Sequence, residues 1–206
     1  MLRILILFPV SIILSCSGQD TSNGKNGGVD SLAITYNNLG VKFLARSSQL
    51  GENSSLLLDS AIYFFDKGLE LDKNFTTLYI NKSQVLRKKL KFKEAIQMLD
   101  IVLTIDPKYP EVLMGKGLLF EKLNNIEEAT KNYLKAKEIF LEQYKSNPKN
   151  ITVKFNLIFL LYFIEGKEQA LKEIDKLSTE YQDNVEITQF RELIESFDRF
   201  KFIDDY

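Results

Sequence analysis

The sequence predicts an all-α fold, an α-solenoid of about four antiparallel helix pairs in series plus a C-terminal capping helix. Three observations carry this. From Asp30 onward, apolar residues recur three and four positions apart with Lys and Glu between them, the period of a helix with one buried face. No segment shows the strict alternation of a half-buried strand. An alanine also recurs in matching surroundings, as Ala61, Ala95, Ala129 and Ala170, at spacings of 34, 34 and 41 residues.

The elements follow in order. Asp30-Ser31-Leu32 opens the first helix, with Asp30 or Ser31 placed to accept its orphan N–H groups. The first pair runs from Tyr36-Asn-Asn-Leu39-Gly40 to Ala61, with a polar insertion at Ser47–Ser55 between its helices. The second carries Tyr79, Ser83, Leu86, Ala95, Leu99 and Val102 and ends at Asp106-Pro107. The third carries Gly117, Phe120, Ala129, Tyr133 and Ala136. Its second helix is expected to run long, from about Ile126 to Lys145, until Asn147-Pro148 stops it. The fourth carries Leu157, Leu161, Ala170, Ile174 and Leu177. One more amphipathic helix is expected over Val185–Phe200 as the cap. After it comes the aromatic tail Phe200-Lys-Phe-Ile-Asp-Asp-Tyr206, expected either to fold back or to serve as a docking segment.

The residue types have a packing logic. A glycine or serine on the first helix and an alanine on the second let two backbones approach closely, while large apolar neighbours fill the remaining space. One pair cannot bury its face alone, and about three or more stacked pairs can. This pattern and its 34-residue period resemble the tetratricopeptide repeat. The departures are Lys82 and Lys116 where leucine is usual, Ile158 where a small residue is usual, and Lys154 where an aromatic is usual. The resemblance implies a protein-binding module whose first helices line a concave groove.

The first residues are of a different kind. Arg3 is followed by an apolar run over Ile4–Leu14, too short to span a bilayer, which needs about 20 apolar residues. A basic start and a short apolar run ending in small residues indicate a secretory signal. Ile13-Leu14-Ser15-Cys16 resembles the bacterial lipobox, with Leu14 bulkier than usual. The resemblance implies cleavage before Cys16 and acyl chains on it. The expected organisation is a signal peptide over 1–15, a flexible tether over 16–29 and the repeat domain over 30–206. The tether holds four glycines and no apolar residue between Ser17 and Gly28, so that stretch has nothing to bury. The resemblance implies the bacterial cell envelope. Ser17 after the cysteine favours the outer membrane by analogy with proteobacterial sorting.

Composition narrows the function. The chain has 206 residues and is 45% hydrophobic, enough for one domain with a sizeable core. Its single cysteine excludes an internal disulfide, and the absence of histidine removes the commonest metal ligand and general base. A net charge of −1 gives no reason to expect nucleic acid. No catalytic constellation stands out, so neither an enzyme nor a cofactor or metal is expected. The carboxylate pairs Glu127-Glu128 and Asp204-Asp205 lie on polar faces.

The expected site is for a protein or peptide segment. Asn38, Asn81 and Asn156 hold one equivalent place on three of the four first helices, with Gly115 at the fourth, and an amide both donates and accepts. Phe155 and Phe159, with Tyr162 and Phe163, would offer an apolar anchor unless the C-terminal segment covers them. Val41, Glu111 and Gly115 stand where chaperone-binding relatives carry a charged clamp, so a terminal carboxylate is not the expected ligand. A basic cluster, Lys82, Arg87, Lys88, Lys89, Lys91 and Lys93, contrasts with residues 165–206, which hold twelve acids and six bases. The alternative functions are a glycan- or small-molecule-binding lipoprotein and a carboxylate-based hydrolase, either of which needs a deep pocket.

Overall fold

The computed structural model describes residues 29–49 and 54–205. Among these are ten helices and no strand, which establishes the all-α repeat class. None of the helices is long and apolar enough to cross a membrane. The signal peptide, Cys16 and the tether as far as Gly28 lie outside the described residues.

The chain divides after Pro107 into two compact units. The first holds α1 (Ser31–Ser47), α2 (Ser54–Leu71), α3 (Thr76–Lys88) and α4 (Phe92–Ile105), which form the first two pairs. Asp30 caps α1 as expected, its carboxylate accepting from the Leu32 and Ala33 amides. Val29, assigned to the tether from sequence, packs against the unit's core of Ala33, Leu44, Leu58, Ala61, Phe65, Phe75, Leu78 and Val85. Gly40 has a steric reason to lack a side chain, because a Cβ there would run into the Phe65 ring.

The second unit holds α5 (Pro110–Lys122), α6 (Ile126–Ser146), α7 (Ile151–Glu165), α8 (Lys167–Glu180), α9 (Val185–Ser196) and α10 (Arg199–Asp205). Pro110 starts α5 at a position where a missing N–H loses nothing. The long α6 matches the expectation from the 41-residue spacing. It stops at Ser146 because Asn147, preceding Pro148, is kept out of the helical region, at φ −140° and ψ 80°. Gly117 repeats the role of Gly40, here against the Tyr133 ring. Ala61, Ala95, Ala129 and Ala170 are all fully buried, as their spacing predicts.

Two turns use left-handed residues to reverse the chain. Leu90 between α3 and α4 has φ 59°, and Asn124 between α5 and α6 has φ 56°. In both, the next amide closes a six-residue loop at 2.8 Å, Lys91 N to Leu86 O and Asn125 N to Phe120 O.

The sequence expectation of one helix over Val185–Phe200 is corrected. Phe197 adopts an extended conformation (φ −70°, ψ 127°), which ends α9 at Ser196. Asp198 then caps a separate helix by accepting from the Phe200 and Lys201 amides at 3.0 and 3.1 Å. The tail therefore folds back, and α10 packs on α5.

Candidate interaction site

In the first unit, the exposed side of α1 and α3 presents amides. Asn81 Nδ2 donates to Asn37 Oδ1 at 2.7 Å, tying α3 to the first helix of the preceding pair. Asn38, not Asn37, was the residue indicated by sequence, and it lies exposed on α1 beside the exposed Val41. The packing logic behind Asn37 could not be read from spacing, because it sits one position off the shared register. Lys82, the departure from leucine, makes a 2.5 Å ion pair with Asp66 of α2.

The same unit shows where part of the basic cluster is paired. Lys82, Lys89 and Lys91 pair with Asp66, Asp59 and Glu94 at 2.5, 2.5 and 3.0 Å. Two of those acids are remote in sequence, on α2, so a count of charges along the chain misses them. Burial and the neighbouring Arg87 lower the pKa of Lys88.

In the second unit, Asn156 does not line an open surface. It is 7% exposed, and its Nδ2 lies 3.4 Å from Glu111 Oε1 on α5, again reaching the first helix of the preceding pair. Its place in the asparagine series is thus a bridging one, like that of Asn81, and Gly115 is buried. Asn156, expected from sequence to contact a partner, is thus buried and held against α5.

The two phenylalanines meet the alternative the sequence left open, cover by the C-terminal segment. Phe155 stacks on Phe190 of α9, with centroids 4.4 Å apart. Phe159 is 2% exposed and sits in a ring cluster with Phe163, Phe197 and Phe202. The physical reason lies in α7 itself. Asn156 to Phe163 are all buried, so this helix is apolar all round and needs cover on every side. Cover over the first-helix face comes from Phe197 and Phe202.

The covering segment is held by charge and hydrogen bonds as well as by rings. Arg199 Nη1 donates to Phe163 O at 2.9 Å, Nη2 to Glu121 Oε1 at 2.5 Å, and the guanidinium lies 5.2 Å from the Phe163 centroid. The Glu121 side chain is only 7% exposed. Lys122 Nζ donates to Ile203 O at 3.1 Å, and Tyr162 Oη to Phe197 O at 3.0 Å. Burial, with Asp198 adding to it, raises the Tyr162 pKa, so the hydroxyl stays a donor across the neutral range. Sequence reasoning missed Glu121, Lys122 and Arg199. The one usable signal was a helix with no polar stripe beside an aromatic tail.

A shallow depression on the outer side of α6, lined by Ile126, Thr130, Leu134 and charged neighbours, draws all its lining from one helix. Its charged lining mixes Glu127 and Glu138 with Lys131 and Lys135 along that one helix, and no cluster of three potential metal ligands occurs among the described residues.

Comparison with known proteins agrees with the fold. Residues 110–150, covering α5 and α6, match the tetratricopeptide repeat family. The chain is similar to the structure of PilF from Pseudomonas aeruginosa, with 20% identity over 82% of this chain and 69% of that one, at a TM-score of 0.54. It also matches MamA, with 16% identity over 80% of this chain and 81% of that one, at a TM-score of 0.48. A third match is the first repeat domain of RPAP3 bound to an HSP90 peptide, with 21% identity over 66% and 96% and a TM-score of 0.48. No curated protein matches the sequence. The likeness to PilF shows a helical repeat fold.

Proposed function

We propose that this chain is a protein-binding scaffold or adaptor, anchored to the membrane of a bacterial cell envelope through acyl chains on Cys16. The observation that carries the binding role is the face of α5 and α7. It already holds a polypeptide segment, Phe197–Ile203, by ring contacts, a partly buried charge pair and hydrogen bonds to main-chain carbonyls. Those are the means by which a receptor grips a helical peptide. In the first unit, exposed Asn38 and Val41 beside the Asn37–Asn81 pair offer a second surface with mixed polar and apolar character. The anchoring reading is supported by the lipobox-like Ile13-Leu14-Ser15-Cys16 and the apolar run before it. Outer-membrane placement rests on Ser17 alone.

Two measurements test this. Cys16→Ala should abolish labelling by a fatty-acid analogue and leave an uncleaved precursor, and unchanged labelling refutes the anchor. A photo-reactive residue at Asn38 or at Lys122 on the α5–α7 face should give protein adducts in native membranes, and one at Thr130 on the outer side of α6 should not. Adducts from Thr130 alone would refute the assignment of the binding surface.

A further inference from the structure

The scaffold reading does not say what chemistry a partner must carry, and the C-terminal segment supplies an answer that rests on that reading. We propose that the α5–α7 face is a receptor for a helical segment bearing an aromatic residue, an arginine two positions later and a second aromatic three positions after that. Phe197, Arg199 and Phe202 of this chain are its resident occupant, and a partner segment with the same pattern displaces them.

Three observations lead there. The extended Phe197 uncouples α10 from α9, leaving a helix of seven residues. A helix that short does not hold by itself in water and depends on the surface beneath it. The covered face sets a requirement of its own, because with the segment in place the Glu121 side chain is only 7% exposed, and a carboxylate covered in this way needs a cation beside it. Arginine meets this need better than lysine. Its planar fork reaches Glu121 and the Phe163 carbonyl together and lies over the Phe163 ring. The outward side of α10 is bound to much less, with Phe200 81% exposed and Asp198 and Lys201 exposed. A segment held on one side opens locally more readily than the helices beneath it.

Release of the segment exposes a pocket with fixed chemistry. The Phe159 and Phe163 rings form its floor, Glu121 selects the cation, and Lys122 and Tyr162 stand ready for main-chain carbonyls. A partner lacking the arginine would leave the Glu121 charge buried and unpaired, so the site discriminates by more than hydrophobicity. The resident segment raises the threshold for binding, since only the open fraction of molecules competes for a partner.

The test uses the full chain and a fluorescent synthetic peptide of residues 196–206. The double variant Arg199→Ala with Phe202→Ala loosens the resident segment and should bind the peptide about tenfold more tightly than wild type. Adding Glu121→Gln to that variant should weaken the peptide again, and a peptide with alanine in place of the arginine should not compete. Equal binding by wild type and the double variant, or no binding by either with the helical spectrum intact, overturns the proposal. Should the double variant unfold, hydrogen exchange of wild type decides: α10 amides should exchange faster than those of α7, and equal protection would show α10 to be an integral part of the fold. The peptide assay needs no envelope partner. Peptide binding without membrane adducts would therefore reject the scaffold reading alone, and adducts without segment-dependent binding would reject this one alone.

Discussion

Gly117→Ala isolates the close approach on which the repeat geometry depends. A Cβ at this position would lie well inside the ~3.5 Å contact distance of the Tyr133 ring carbons. The ring cannot simply step aside, since Tyr133 is 2% exposed and packs against Phe163 with centroids 5.7 Å apart. Overpacking of this kind costs up to about 3 kcal/mol. The opposing effect is helix propensity, which favours alanine over glycine by about 1 kcal/mol inside a helix. The net loss should be about 2 kcal/mol, read as a drop in melting temperature of about 4–8 °C if both units melt together, and roughly twice that if residues 108–206 melt alone. Adding Tyr133→Leu should remove most of the penalty of the alanine, giving a coupling on the order of 1 kcal/mol or more in the double-mutant cycle. A melting temperature that rises in Gly117→Ala would mean that propensity wins, and that the ring does not rest on the α5 backbone.

Two further changes probe local features. Leu90 is 73% exposed at φ 59°, a conformation that costs a leucine about 1–2 kcal/mol and that asparagine tolerates, as Asn124 shows in the equivalent turn. Leu90→Asn should raise stability by about 0.5–1 kcal/mol in urea titrations, and a loss of stability would refute the strain argument. Glu173 is pushed up by burial, but Lys176 and Lys154 together outweigh this and hold its pKa below the ordinary glutamate value. Its contribution is therefore present above the unfolded-state pKa and lost as pH falls through the lower folded value. Wild type should lose stability below about pH 4 more steeply than Glu173→Gln, and parallel curves would count against the pairing.

Much of the fold was written in small residues. Gly40, Gly117 and the four alanines mark where backbones touch, and a steric demand of that kind leaves a trace at fixed spacing whatever surrounds it. The ends of the helices were legible for a similar reason, since Asp30, Pro107 and Pro148 act on the backbone within a few residues of themselves. Long-range pairings leave no such trace. Lys89 finds Asp59 across 30 residues, Lys82 finds Asp66 across 16 and Arg199 finds Glu121 across 78, so a count of charges along the chain does not show which of them are paired. The asparagines show an intermediate case. Their shared register pointed to a common role, but an amide suits a ligand's main chain and a neighbouring helix equally well, and only the positions of Asn37 and Glu111 reveal that Asn81 and Asn156 bridge to the preceding pair.

The fourth pair carries the larger lesson about the site. A helix that packs between two others needs a polar stripe wherever water reaches it. α7 has none between Asn156 and Phe163, so its sequence alone required a third cover over the first-helix face. What the apolar count could not specify was the nature of that cover. Rings alone would have sufficed for Phe159, yet the segment that lies there also brings Arg199 to a carboxylate with 7% exposure. A partly buried ion pair of this sort adds little net stability over an apolar substitute of the same shape, because the Glu121 carboxylate gives up most of its water and Arg199 part of it. Its effect is on selectivity: an apolar occupant without a cation leaves the charge of Glu121 stranded. An aromatic floor with one covered carboxylate thus fixes what the segment lying on it must carry, two rings and a cation, and Phe197, Phe202 and Arg199 supply them.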